Sequence, residues 1–225
     1  KSADIGIALG SGTDVAKEAS DLILLDDSFA TIVAAIKQGR IAFDNIRKVT
    51  VFLLAGSFSE LILIASSLVF KIPLPLTAVQ ILWTNLVEDT LPNIALSFEP
   101  GERDVMERPP FHKKEPILNT ENKIIIFVVG IITDLILVSL FLYLYHFSGL
   151  SLHYIRTYIF VALGIDSFFY IYSIKSLREP IYRYTPFGNP YLVIATIMGV
   201  GSLIAAVYLP ILQGVLGTVP LSWGA

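Results

Sequence analysis

Five long apolar runs constrain the fold of this chain more than any other feature of its sequence. Hydrophobic residues occupy 54% of the 225 positions and charged residues only 16%, whereas soluble domains carry about 25% charged residues. About 20 apolar residues in a row are enough for a helix to cross a bilayer. We therefore predict a mainly α-helical transmembrane bundle with about five spans. The predicted spans are 49–70, 76–98, 123–147, 153–174 and 191–209.

The first 40 residues follow a different pattern, which predicts a short α/β unit. Residues 5–9 alternate between apolar and small side chains, and residues 22–25 form a continuous apolar run, so both are predicted strands. A helix is predicted over 13–20, and a second one begins after Ser28 and ends near Gly39. This β-α-β-α order is typical of the edge of a doubly wound sheet.

These patterns divide the chain into residues 1–40 and residues 41–225. Forty residues cannot bury a core of their own, so we expect most of the first domain to be supplied from elsewhere. The second domain is expected to contact the lipid bilayer directly. The net charge of −3 gives no reason to expect a nucleic acid as a partner, and the absence of cysteine excludes disulfides and thiolate metal sites.

Basic residues predict the orientation in the membrane. Lys and Arg are concentrated before the first span and in the loops 99–121 and 175–190. The positive-inside rule then places residues 1–45 and both loops in the cytoplasm. The chain is therefore predicted to be a multi-pass integral membrane protein with a cytoplasmic N-terminus.

The second span carries polar residues near its middle. Asn85, Glu88 and Asp89 stand at positions i, i+3 and i+4, which predicts that they share one helix face. Pro92 cannot donate a hydrogen bond to the carbonyl of Glu88 and disturbs that turn. A charged residue at this depth costs about 2.5–3.5 kcal/mol on insertion scales. Carboxylate, amide and loosened carbonyl oxygens are ligands for hard cations, so we predict that this stretch handles an ion.

Other spans contain residues that fit the same purpose. Ser57 and Glu60 lie near the middle of the first span, and Asp166 lies in the fourth. Asp134 in the third span has few polar neighbours in sequence, and we interpret it as a buried structural acid. No catalytic or cofactor-binding residue is predicted in this chain. The predicted metal ligands are Ser57, Glu60, Asn85, Glu88, Asp89 and Asp166.

These residues alone leave several functions open. Intramembrane acids also serve carriers that use no ATP, so an ATP-independent carrier or channel, or an ion-binding membrane module, remains an alternative. A truncated product without function is a third reading. Residues 1–40 count against the carrier, because a carrier has no reason to begin with part of an α/β domain, but they do not exclude a truncated product.

Two stretches carry specific motifs. Residues 82–92 have the sequence LWTNLVEDTLP, followed by ALSFEP at 95–100 and DVMERPP at 104–110. Residues 3–13 have the sequence ADIGIALGSGT. The first set resembles the sixth transmembrane helix, and the loop after it, of P-type cation-transporting ATPases, most closely the calcium-pump branch. The second is similar to the end of that family's phosphorylation domain, which is HAD-like and Rossmannoid.

The resemblance implies roles for individual residues. Asn85 and Asp89 stand where the family has helix-six ligands, and Glu60 stands at the helix-five glutamate. Asp166 falls near an acid that some calcium pumps use in helix eight.

Two positions depart from the family pattern. Glu88 stands where calcium pumps usually have Thr, and Ser57 stands where they usually have Asn. The first change adds an acid to the predicted site, and the second removes an amide carbonyl.

The resemblance also implies a mechanism and partners. The parent protein would drive cations, with Ca²⁺ expected, across the cell membrane at the expense of ATP. Residues 40–70 would couple the phosphorylation domain to the ion site, and the five spans would be helices five to nine. The other part of the pump would supply helices one to four, the actuator and nucleotide domains and most of the phosphorylation domain. ATP and Mg²⁺ would bind there, so this chain alone would not hydrolyse ATP.

Overall fold

The computed structural model describes residues 4–110, 116–118, 120–176 and 185–222. In these ranges the chain is mainly helical, with two short strands, β1 (Ile7–Leu9) and β2 (Leu22–Leu24). Two π-helical turns interrupt the helices at Thr84–Glu88 and Ile125–Val129. The α-helices are α1 (Asp14–Glu18), α2 (Phe29–Val69), α3 (Ala78–Trp83), α4 (Thr90–Leu96), α5 (Thr120–Ile124), α6 (Gly130–Phe147), α7 (Leu152–Ser173), α8 (Pro190–Tyr208) and α9 (Pro210–Leu216).

The described residues divide into two compact units, one from 1–44 with 101–109 and the other from 45–100 with 110–225. In the first unit, β1 and β2 pair in parallel, with Ile7 opposite Leu22, and α1 connects them. Thr13 caps α1 by accepting a hydrogen bond from the amide of Ala16. The predicted β-α-β order is therefore confirmed, as is a mainly helical fold with a small sheet near the N-terminus.

Two aspartates organise the turn between β2 and α2. Asp26 accepts hydrogen bonds from the Thr31 hydroxyl (2.5 Å) and the Ser28 amide (3.1 Å), and Asp27 accepts one from the Ser11 amide (3.0 Å). The Thr31 bond chiefly lowers the pKa of Asp26, and the Ser11 amide bond chiefly lowers that of Asp27. Both hydrogen bonds favour the ionised carboxylates.

A cluster of charged side chains lies at the other end of the first unit. Arg40 donates to the carbonyls of Val105 (2.9 Å) and Arg108 (2.7 Å). Arg108 in turn pairs with Asp44 at 2.8 Å and with Glu102 and Asp104. Its hydrogen bonds, first of all to Asp104, raise the pKa of the Arg108 guanidinium. These pairs attach residues 102–108 to the N-terminal part of α2.

Helix α2 does not end at Gly39, so that prediction is wrong. The helix runs unbroken from Phe29 to Val69. A glycine in a helix interior costs about 1 kcal/mol relative to alanine, and no proline follows to stop the helix. The end comes at Lys71, whose φ is 54°, with the amide of Ile72 bonded to the carbonyl of Ser67 at 2.9 Å. This is a Schellman motif, and it ends the helix one residue before the predicted end of the first span at residue 70.

Four helices of the described chain are long and apolar enough to cross a membrane. They are Phe29–Val69, Asn122–Phe147, Leu152–Ser173 and Pro190–Tyr208. The predicted span 76–98 is helical but interrupted, because α3, a π turn and α4 follow one another there. Large apolar side chains such as Leu135, Ile136 and Ile197 are more than half exposed, as expected for helix faces that contact lipid.

Two clusters of buried apolar side chains hold the second unit together. One contains Leu63, Phe141 and Phe160, and the other contains Phe52 and Ile171. Both include residues of α2 and α7. These helices therefore form a fixed frame beside the interrupted helix.

We expect Gly39→Ala to slow amide hydrogen exchange across residues 33–43 about fivefold, because alanine is favoured in a helix interior by about 1 kcal/mol. A Cβ at this position meets no heavy atom within 4 Å. Exchange should be followed by mass spectrometry on the full-length protein. The control is Gly149→Ala, which places a side chain at φ 67° and should accelerate exchange in its own turn. Faster exchange in Gly39→Ala would contradict a continuous α2.

Candidate functional site

A buried cavity lies among α2, α6, α7 and the interrupted helix. Its volume is about 30 Å³, whereas one water molecule needs about 10–15 Å³. Three carboxylates from three different helical segments line it: Glu60, Asp89 and Asp166. Five residues with hydroxyl side chains also line the cavity, namely Ser59, Thr84, Thr133, Ser167 and Tyr170.

The π turn Thr84–Glu88 positions the polar residues of the interrupted helix. The amide of Asp89 donates to the carbonyl of Thr84 at 2.9 Å, five residues back, and the Thr90 hydroxyl donates to the carbonyl of Asn85 at 3.0 Å. Pro92 stands three residues after Asp89 and has no amide hydrogen to donate to the carbonyl of Glu88. The π turn and this missing hydrogen bond together loosen the backbone over the whole stretch. Single π turns of this kind occur frequently at functional sites.

Asn85 and Glu60 are joined directly. The Asn85 amide nitrogen donates to Oε1 of Glu60 at 2.7 Å and also to the carbonyl of Ile81 at 3.0 Å. Glu60 lines the cavity, whereas Asn85 lies outside it and is exposed in the described chain. Asn85 therefore orients the Glu60 carboxylate from the neighbouring helix.

Asp89 faces α7 and α2 from inside the bundle. The Ser167 hydroxyl donates to its Oδ1 at 2.6 Å. A Cβ built on Gly56 would lie 3.7 Å from Oδ2 of Asp89. The α2 backbone therefore lies close to this carboxylate at Gly56. Asp89 is only 8% exposed. One hydrogen bond leaves most of its acceptor capacity unused.

Two hydroxyls that line the cavity have no hydrogen-bond partner among the residues that the structure describes. They are the buried side-chain oxygens of Thr84 and Tyr170. A buried polar group without a partner costs about 1–3 kcal/mol. The cavity therefore presents oxygen atoms that a bound polar group would satisfy.

Glu88 lies in a different place from the other predicted ligands. It is fully buried and it does not line the cavity. A Cβ on Gly164 of α7 would come within 2.7 Å of its Oε2, and the Leu203 side chain of α8 packs at the same point. The predicted common face of Asn85, Glu88 and Asp89 is therefore wrong for Glu88, because the π turn takes more residues than the 3.6 of an α-helix.

Ser57 is also outside the cavity. Its side chain is exposed in the described chain, and its neighbours Gly56 and Ser59 line the cavity instead. Of the six predicted ligands, the structure thus brings Glu60, Asp89 and Asp166 together, attaches Asn85 to Glu60, and leaves Ser57 and Glu88 elsewhere.

Asp134 lies closer to the site than its sequence neighbours indicate. It is 1% exposed, and Ser59 of α2 interacts with its carboxylate. Asp134 also acts electrostatically on Asp166 and Tyr170 of α7. The residue spacing along α6 does not predict these interactions, because Ser59, Asp166 and Tyr170 all belong to other helices.

The donor set suits a hard cation, although the described residues do not form a closed coordination sphere. In the ranges that the structure covers, no three Asp, Glu or His side chains converge on one point. Three of the carboxylates instead line one small cavity from different helical segments. Carboxylate and hydroxyl oxygens are the ligands that Ca²⁺ and similar ions take.

A bundle of apolar helices with acidic residues in its interior is typical of membrane proteins that handle ions. Residues 73–225 match the family model described as "Cation transporting ATPase, C-terminus". The chain belongs to this family of cation-transporting ATPases, and the resemblance to P-type cation pumps is confirmed.

Individual relatives support the same family. The chain is 37% identical over 225 residues to a calcium-transporting ATPase of Bacillus subtilis (strain 168). This alignment covers all of the chain and 25% of that protein. It is 42% identical over 158 residues to a probable calcium-transporting ATPase of Trypanosoma brucei brucei, covering 70% of this chain and 16% of that protein. Over 119 residues it is 50% identical to the P-type sodium-transporting ATPase4 of Plasmodium falciparum (isolate 3D7), covering 52% and 9%. The chain therefore spans a quarter or less of the length of these relatives.

We expect Gly164→Ala to destabilise the protein by about 1–3 kcal/mol, because the added methyl group overpacks the contact with Glu88 and Leu203. Thermal unfolding of the full-length protein in detergent would measure the loss. In a Glu88→Ala background the same substitution should cost about 1 kcal/mol less, since the carboxylate is gone.

The matched control is Gly201→Ala on α8, where a Cβ meets nothing within 4 Å. An equal cost of Gly164→Ala with and without Glu88 would show that the two residues are not in contact.

Proposed function

We propose that the parent of this chain is an ATP-driven cation pump, with Ca²⁺ as the transported ion, and that the buried cavity forms part of its ion site. One observation carries the proposal: Glu60, Asp89 and Asp166 come from three different helical segments and line the same cavity. Keeping these acids in an apolar environment costs free energy, which the folding of the whole bundle has to offset. A transported cation would offset that cost in the occupied state.

We assign the ligand roles from the contacts of each side chain. Glu60, Asp89 and Asp166 supply carboxylate oxygens, and Thr84 supplies a hydroxyl without a present partner. Asn85 holds Glu60, and Ser167 holds Asp89. Ser57 and Glu88 are left out of this ligand set because neither lines the cavity. Further ligands would come from the rest of the pump.

The relatives favour an ATP-driven mechanism over an ATP-independent carrier, since each of those named above is an ATPase. The parallel β-α-β unit fits the edge of a HAD-like phosphorylation domain. Helix α2 begins beside this unit and reaches Glu60 without a break, so it is suited to couple the two. ATP and Mg²⁺ would bind in the parent outside this chain. The N-terminus would be cytoplasmic and the pump would lie in the cell membrane.

The identity of the ion is the first point to test, because the relatives include both calcium and sodium transporters. ATP hydrolysis by the purified full-length protein should be measured with Ca²⁺, Na⁺, K⁺, Mn²⁺ and excess Mg²⁺ in separate titrations. We expect Ca²⁺ to stimulate at the lowest concentration. Stimulation by Na⁺ alone would keep the pump and overturn the assignment of calcium, and no stimulation by any of these ions would overturn both.

The site assignment predicts a contrast between neighbouring acids. Glu60→Gln, Asp89→Asn and Asp166→Asn should each raise the cation concentration for half-maximal stimulation at least about tenfold, since even outer-shell groups of metal sites are worth 10–100-fold. Glu88→Gln is the matched control, because Glu88 is a buried acid next to Asp89 but lies outside the cavity. It should change the value less than about threefold.

Cation-dependent phosphorylation of the protein by ATP would give a second measurement of the same affinities. If Glu88→Gln raised the cation concentration for half-maximal stimulation as much as Asp89→Asn, the cavity would not be the ion site in the form proposed here.

A further inference from the structure

We infer that Lys175 and Glu99 are positioning residues, which together with Asn45 and Asn189 hold the C-terminal end of α4 and thereby set the place of Asp89. The inference rests on the proposed transport function but concerns residues far from the cavity lining. We call Asn45, Glu99, Lys175 and Asn189 the α4 clamp. All four are buried, at 7% exposure or less.

The centre of the α4 clamp is an ion pair. Nζ of Lys175 lies 3.3 Å from Oε1 of Glu99, with the two side chains 1% and 8% exposed. The same ammonium group donates to the carbonyls of Thr185 (2.9 Å) and Pro186 (2.7 Å). Lys175 follows the end of α7 and Glu99 follows the end of α4, so the pair joins the ends of two helices.

Asn189 extends the α4 clamp to the start of α8. Its amide nitrogen donates to Oε2 of Glu99 at 3.0 Å and to the carbonyl of Ala95, in the last turn of α4, at 2.9 Å. Its side-chain oxygen caps α8 by accepting from the amide of Leu192 at 3.1 Å. One side chain therefore fixes the beginning of α8 against the end of α4.

Asn45 attaches the same end of α4 to α2. Its amide nitrogen donates to the carbonyls of Ser97 (3.0 Å) and Glu99 (2.9 Å). These carbonyls lie just beyond α4, where a helix leaves acceptors without partners of its own. The end of α4 is thus bonded to α2 on one side and to α7 and α8 on the other.

The location of the α4 clamp matters because α4 is short. Its seven residues, Thr90–Leu96, extend about 10 Å at 1.5 Å per residue. Asp89 stands immediately before α4, where the π turn loosens the backbone. The C-terminal end is therefore the firmly bonded end, and a displacement of α2 is transmitted through Asn45 to α4 and on to Asp89.

A buried ion pair is weak support for stability, since apolar replacements are often tolerated. What the pair does supply is a fixed geometry with satisfied hydrogen bonds. We therefore assign it to coupling, meaning the number of cations moved for each ATP hydrolysed.

The test uses the full-length protein in sealed proteoliposomes, with uptake of Ca²⁺ and ATP hydrolysis measured on the same sample below all unfolding midpoints. If the five-cation screen selects another ion, that ion replaces Ca²⁺. Lys175→Met and Glu99→Gln should each lower the cations moved per ATP at least about threefold. Lys175→Arg should stay closer to the wild-type ratio than Lys175→Met, since it keeps the positive charge beside Glu99. Lys37→Met, at an exposed position of α2, is the control and should leave the ratio unchanged.

A role confined to stability would lower the unfolding midpoint without changing the ratio, and that result would overturn the inference. If Lys175→Met does not fold, Asn45→Leu decides, because it removes the bonds to Ser97 and Glu99 without changing any charge. A normal ratio in that variant overturns the α4 clamp while leaving the pump intact. Absence of transport in the wild type would instead overturn the proposed function and the inference together.

Discussion

The cost of keeping carboxylates among apolar helices governs the second unit of this protein. Glu60, Asp89 and Asp166 are placed where hydroxyls, an amide and a small cavity surround them, rather than against lipid. The π turn before Pro92 contributes to this placement, because it changes the regular helix geometry immediately before Asp89. The apolar clusters that join α2 to α7 then hold the cavity walls at a fixed spacing.

Much of this arrangement follows from sequence, for a simple physical reason. Hydropathy over 20 residues averages out local detail, so the four continuous candidate spans were predictable. Intramembrane acids are expensive, so their presence draws attention to Glu60, Glu88, Asp89, Asp134 and Asp166, but not to which of them line one cavity. The short β-α-β unit was also predictable, since alternation, a cap and a buried apolar run each indicate one element.

The rest depended on details that a regular helix does not contain. The spacing of Asn85, Glu88 and Asp89 predicts one face only if 3.6 residues make each turn, and the π turn turns Glu88 toward Gly164 instead. Glycine is common just after the end of a helix, which is why a helix end is predicted near Gly39, but the residues around it continue the helix. Asp134 has few polar neighbours along α6, and Ser59 and Asp166 reach it only through tertiary packing. The errors at Glu88 and Asp134 come from a backbone irregularity and from tertiary contacts, whereas the error at Gly39 comes from taking an interior glycine as a helix end.

The two ends of α4 explain why the interrupted helix suits a moving site. At one end the π turn and Pro92 leave the backbone before α4 with fewer regular hydrogen bonds. At the other end, buried Asn45, Asn189 and the Lys175–Glu99 pair bind its last carbonyls and the residues beyond them. In the coupling that we infer, α4 is held at one end and loosened at the other, so that a shift of the surrounding helices would be passed on to Asp89. A continuous helix bonded equally along its length would spread the same shift over many residues and leave the carboxylate nearly in place.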